Sequence, residues 1–101
     1  MSRSELFRRH VAADPANPLF RFSLGQALFA EGDAPGAIEH LRIAAASKAD
    51  WMMPRILLGK CLRAVGDQAG ARAVLGEALA LAVAQGHEEP EVELRALLAG
   101  G

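Results

Sequence analysis

Apolar residues in this chain recur three and four places apart, not at every second place, as they do in helices that bury one stripe. The stretch 18–31 shows this best: at about 100° per residue, Phe20, Leu24, Ala27 and Leu28 share one side. Leu19, Phe22, Gln26 and Phe29 lie roughly opposite, so this helix is expected to be buried all round or to face a ligand. Leu6, Phe7 and Val11 give a helix over 2–13 a stripe with which to cover its neighbour, and Leu94, Leu97 and Leu98 do the same for a helix over about 88–98.

Punctuation residues divide the rest. In "EGDAPG" (31–36) and "VGDQAG" (65–70), Gly32 and Gly66 suit a positive φ that ends one helix, and Asp33 and Asp67 suit the N-cap of the next. Pro18 and Pro54 fit the first turn of a helix, where a missing N–H costs nothing. Gly86 stops a long helix running from about 68 to 85. Six helices result, and the predicted class is all-α.

The two turn motifs belong to a longer recurrence. "LGQALFAEGD" (24–33) returns as "LGKCLRAVGD" (58–67) at an offset of 34. Identical pairs at that offset include Arg21/Arg55, Leu24/Leu58, Gly25/Gly59, Leu28/Leu62, Gly36/Gly70, Ala37/Ala71, Leu41/Leu75 and Ala44/Ala78. Mid-helix glycines such as Gly25 and Gly59 cost up to about 1 kcal/mol against alanine. Close approach of a partner helix, through Ala37 and Ala71, is the expected compensation.

This spacing resembles the tetratricopeptide repeat, whose 34-residue unit runs W-x2-L-G-x2-Y, A-x3-F, P. The chain supplies Leu24-Gly25-x2-Leu28, Ala37-x3-Leu41 and Ala44, then Leu58-Gly59-x2-Leu62, Ala71-x3-Leu75 and Ala78. Arg21 and Arg55 stand at the opening aromatic, leucines at both Tyr/Phe places, and Ala49 and Val83 at the closing proline. The resemblance implies a right-handed superhelix of antiparallel helical hairpins. It divides the single domain 1–101 into an N-terminal capping helix (1–17), repeats over 18–51 and 52–85, and a C-terminal capping helix (86–101).

Composition narrows the function. At 101 residues the chain holds one core, and its formal charge of −1 supplies no global field toward nucleic acid or anionic lipid. A nucleic-acid interface would rest only on Arg3, Arg8, Arg9, Arg55, Lys60 and Arg63. The lone Cys61 excludes an internal disulfide and a cysteine-based zinc site, and is expected to fill a small interior position. His10, His40 and His87 lie far apart with no metal-ligand spacing, and each is expected to be a partly exposed helix residue. Glu88, Glu89, Glu91 and Glu93 read as charge favoured at a helix N-terminus. No phosphate-binding glycine loop occurs. No cofactor, catalysis or membrane span is expected, and the expected address is the cytoplasm.

In tetratricopeptide proteins the second side of each first helix lines a concave surface that receives a peptide. By position, that surface comprises Leu19, Phe22, Gln26 and Phe29 with Met53, Ile56, Lys60 and Arg63. The implied function is a protein–protein interaction module whose phenylalanines take an apolar side chain while Lys60 and Arg63 meet a carboxylate. The plain packing alternative sets Phe22 against Ile56 between neighbouring helices and leaves the cations as surface charge. The carboxylate-clamp subgroup places asparagines in this surface, whereas the only Asn here, Asn17, falls in a turn. A monomer or weak homodimer is expected, and pairing of two copies through the apolar groove is the competing use of that face.

Overall fold

The computed structural model describes residues 1–100. Six helices follow in order: α1 (Arg3–Ala13), α2 (Pro18–Ala30), α3 (Ala34–Ser47), α4 (Met52–Ala64), α5 (Gln68–Gln85) and α6 (Glu88–Gly100). No strand occurs among the described residues. Each helix packs on the next, and α2 also touches α4. Two helical hairpins, α2–α3 and α4–α5, therefore stack side by side, with α1 covering one end and α6 the other.

The hairpin turns form as their sequences require. Gly32 and Gly66 take φ of 88° and 89°. Asp33 and Asp67 each accept a bond from the backbone N–H of Gly36 and Gly70, at 2.9 Å. A Cβ on Gly36 or Gly70 would lie 2.8 Å from the Cγ of the capping aspartate. The second glycine of each turn thus makes room for the cap. Pro18 opens α2 behind Asn17, whose side chain accepts from Leu19 and Phe20 N–H. Pro54 is the third residue of α4, and Trp51 at that N-cap makes no side-chain bond.

The mid-helix glycines permit the close approach, though leucine faces them more directly than alanine. A Cβ on Gly25 would fall 2.6 Å from Leu41 Cγ, and one on Gly59 would fall 2.5 Å from Leu75 Cγ. The Ala37 carbonyl is farther from Gly25, at 3.4 Å. Leu41 and Leu75 are fully or almost fully buried, as are Ala37 and Ala71. The core continues through Leu24, Leu28, Leu58, Cys61, Leu62, Ala78 and Leu94.

At the ends, Leu94 of α6 is buried and Leu97 and Leu98 pack against the core. On α1, Val11 is buried and Phe7 half-buried, but Leu6 is exposed. Ser4 takes the inward position instead. Its N–H and hydroxyl donate to the two carboxylate oxygens of Glu31 (3.2 and 2.7 Å), so the residue that ends α2 holds the start of α1. Ser4, Phe7 and Val11 share one face of α1, which leaves Leu6 facing solvent.

The arginines at the opening-aromatic positions brace the hairpins with hydrogen bonds. Arg55 donates to the carbonyls of Lys48 and Trp51 (3.1 and 2.7 Å) and lies 3.6 Å from Glu77. Arg21 donates to the Pro15 carbonyl and reaches His40 Nδ1, both at 3.0 Å. His40 is consequently buried, not partly exposed as its isolation in sequence suggested. Because Arg21 is the donor, Nδ1 carries no proton and Nε2–H faces Glu39, 3.9 Å away.

Burial, reinforced by Arg21 and Arg8 against the opposing pull of Glu39, holds His40 below the ordinary histidine pKa of 6.5. A folded pKa below the unfolded one gives stability that is complete above about pH 6.5 and is lost as pH falls toward the folded value. The melting temperature should therefore decline from pH 7.5 to pH 5, and His40→Gln should flatten part of that decline. Identical pH slopes in the two proteins would contradict this account.

Candidate functional site

The first helices of the two hairpins and the terminal helix α6 share one side of the stack. Between them lies a groove of about 270 Å³ lined by Phe22 and Gln26 from α2, Met53, Ile56, Leu57 and Lys60 from α4, and Glu89, Pro90 and Glu93 from α6. Its floor is Ile56, which is buried. Met53 is about half exposed at the rim. Phe22 is fixed by the Trp51 ring, with centroids 5.3 Å apart and planes inclined by 55°, and Lys48 Nζ lies 5.7 Å from the far ring's centroid.

Five of the residues singled out from the sequence come together here: Phe22, Gln26, Met53, Ile56 and Lys60. Three do not line the groove. Leu19 is an exposed residue of the first turn of α2, and Phe29 turns partly inward against the core. Arg63 donates to the Leu97 carbonyl at 2.9 Å, tying α4 to α6. Lys60 stays at the groove but is engaged there: its Nζ is 3.1 Å from Glu93 Oε1.

The residues missed are Leu57, Glu89, Pro90 and Glu93. An offset of 36 would have found those on α6, since it maps Met53 onto Glu89, Pro54 onto Pro90, Leu57 onto Glu93 and Leu58 onto Leu94. The extra two residues have a structural origin. α5 is 18 residues long against 14 for α3, and the link to α6 is two residues against four before α4. So α6 stands where a further first helix would stand.

A chain whose spacing repeats in this way has a counterpart among known proteins. A TPR repeat-containing protein of Pseudomonas aeruginosa is 38% identical over 94 residues, which span 93% of this chain and 90% of that one. The chain belongs to the tetratricopeptide-repeat family. No family profile matches its sequence. Among solved structures, a Bordetella parapertussis protein superposes at 30% identity and a TM-score of 0.81, over 98% of this chain and 86% of the other. PcrH of Pseudomonas aeruginosa, in complex with the chaperone-binding region of PopD, matches at 22% identity and a TM-score of 0.88, over 96% of this chain and 74% of PcrH. At that identity the likeness to PcrH is one of fold.

Elsewhere the tetratricopeptide scaffold accounts for the side chains that resemble chemistry. Cys61 is completely buried in the core, and desolvation pushes its thiol up to about 11. His10 stacks on Phe20 at 4.8 Å between centroids. No described helix is long and apolar enough to cross a membrane.

Proposed function

We propose that this chain is a non-catalytic interaction module that holds a segment of a partner protein in the groove between α2, α4 and α6. The observation that carries the reading is the convergence of Phe22, Met53, Ile56, Leu57 and Pro90 on one open concavity. An apolar side chain entering it would be desolvated on three sides, which is how a small interface gains affinity. PcrH, which shares the fold, is known in complex with the chaperone-binding region of its partner PopD, and membership of the repeat family supports the same use here. The buried Cys61 thiol is out of reach of a ligand in the groove.

Met53→Glu sets a charge at the rim of the apolar floor and should weaken capture of the partner from the source cell by roughly tenfold or more. Phe22→Ala should weaken it as well, while Ile43→Glu, on the exposed outer face of α3, should leave it unchanged. Capture unaffected by Met53→Glu and Phe22→Ala would refute the groove. Sedimentation at micromolar concentration tests the competing occupant: a dimer that Met53→Glu dissociates would assign the same face to a second copy.

A further inference from the structure

The charges around the groove carry a further inference, which rests on the groove being the docking site. Sequence spacing puts two cations at one end of it, yet both are engaged within the chain. Lys60 pairs with Glu93, and Arg63 is held by the Leu97 carbonyl. Lys48 lies outside the lining, over Trp51. What the rim presents is carboxylate. Glu89 lines the groove without an ion-pair partner among the described residues, Glu88 precedes it, and Glu93 keeps half of its side chain in solvent while bonded to Lys60. Glu91, by contrast, is paired with Arg95 at 3.0 Å.

Lys60 against Glu89 and Glu93 leaves a formal charge of −1 among the residues that line the groove. The N-terminus of α6 offsets about half a unit of it. Apolar walls beside such a mouth concentrate its field instead of dispersing it into water. Glu89 and Glu93 are also four residues apart on α6, hence on one face and within reach of a single long cationic side chain.

We propose that the groove takes a partner segment in which an apolar anchor lies within a few residues of a lysine or arginine. The anchor fills the space over Ile56 and Leu57, and the cation bridges Glu89 and Glu93. An acidic segment meets Glu89 first and gains Lys60 only by breaking its bond to Glu93.

The test is selection of dodecapeptides from a random display library on the immobilised full chain. Enriched peptides should combine an apolar residue with Lys or Arg, and should lose binding to Met53→Glu. Glu89→Lys should weaken those peptides by roughly three- to tenfold, as expected for a rim charge pair replaced by repulsion. That difference should shrink in 0.5 M salt. Peptides that depend on Met53 but show no basic preference, or an acidic one, overturn this inference and leave the groove intact. Failure to enrich any peptide, or enriched peptides indifferent to Met53→Glu, overturns the groove reading and this inference with it.

Discussion

Gly59→Val is expected to unfold the second hairpin. A Cβ at this position already falls 2.5 Å from Leu75 Cγ, and closer to one of its methyls. Leu75 is 2% exposed and has nowhere to retreat. Overpacking of this kind costs about 1–3 kcal/mol for a small added group. Alanine would recover about 1 kcal/mol through helix propensity, so Gly59→Ala should lose roughly 0–2 kcal/mol. Valine adds two further methyls and recovers little, so its cost should exceed about 3 kcal/mol and its melting temperature should fall by more than about 10 °C. Gly76 in α5 supplies the contrast, because nothing lies within 4 Å of the Cβ it would carry. Gly76→Ala should therefore stabilise the protein by about 0.5–1 kcal/mol. Urea denaturation of the three variants decides the matter: if Gly59→Ala proved as stabilising as Gly76→Ala, the close approach of α4 to α5 would be wrong.

The second large effect falls on α6. Leu94 is the one residue of this helix that is buried, at 0% exposure, and its truncation to alanine should cost about 2–5 kcal/mol. Because a stacked array transmits stability only between neighbours, the loss should appear as detachment of α6 ahead of any global transition. Backbone amides of α6 should lose hydrogen-exchange protection in Leu94→Ala while those of α2 and α3 keep theirs. Detachment also removes Glu89, Pro90 and Glu93, one whole wall of the groove, so partner capture should fall even where the hairpins remain folded. Uniform loss of protection along the chain would show that α6 is part of a single cooperative unit.

The hairpin turns and the end of α5 were legible because those boundaries are written in residues with few alternatives. Gly32, Gly66 and Gly86 all adopt positive φ, and Asp33 and Asp67 both cap. Helix contacts were less legible. Leu6 and Phe7 are adjacent apolar residues, and contacts distant in sequence, among them the bonds from Ser4 to Glu31 and the stacking of His10 on Phe20, lie on the side of α1 that turns inward. The groove was half legible for a related reason. The 34-residue offset equates helices α2 and α4, and so locates Phe22, Gln26, Met53, Ile56 and Lys60. It cannot reach α6, which is displaced by two residues through the longer α5. Nor could spacing reveal that Lys60 and Arg63 are committed to groups on α6, since those contacts run across 33 and 34 residues of chain.

The two hairpin turns share their shape, down to the bond from Asp33 N–H to the Leu28 carbonyl (2.8 Å) and from Asp67 N–H to the Leu62 carbonyl (2.9 Å). The bend is shared but its flank is not: Ala34 is buried in the core whereas Gln68 is exposed, so residues 66–70 set at 32–36 would press a glutamine inward. The position before the bend differs as well: Glu31 has been recruited to anchor a separate rod, so a graft that carried Val65 into that place would keep the bend and cut the bonds that moor the leading end of that rod.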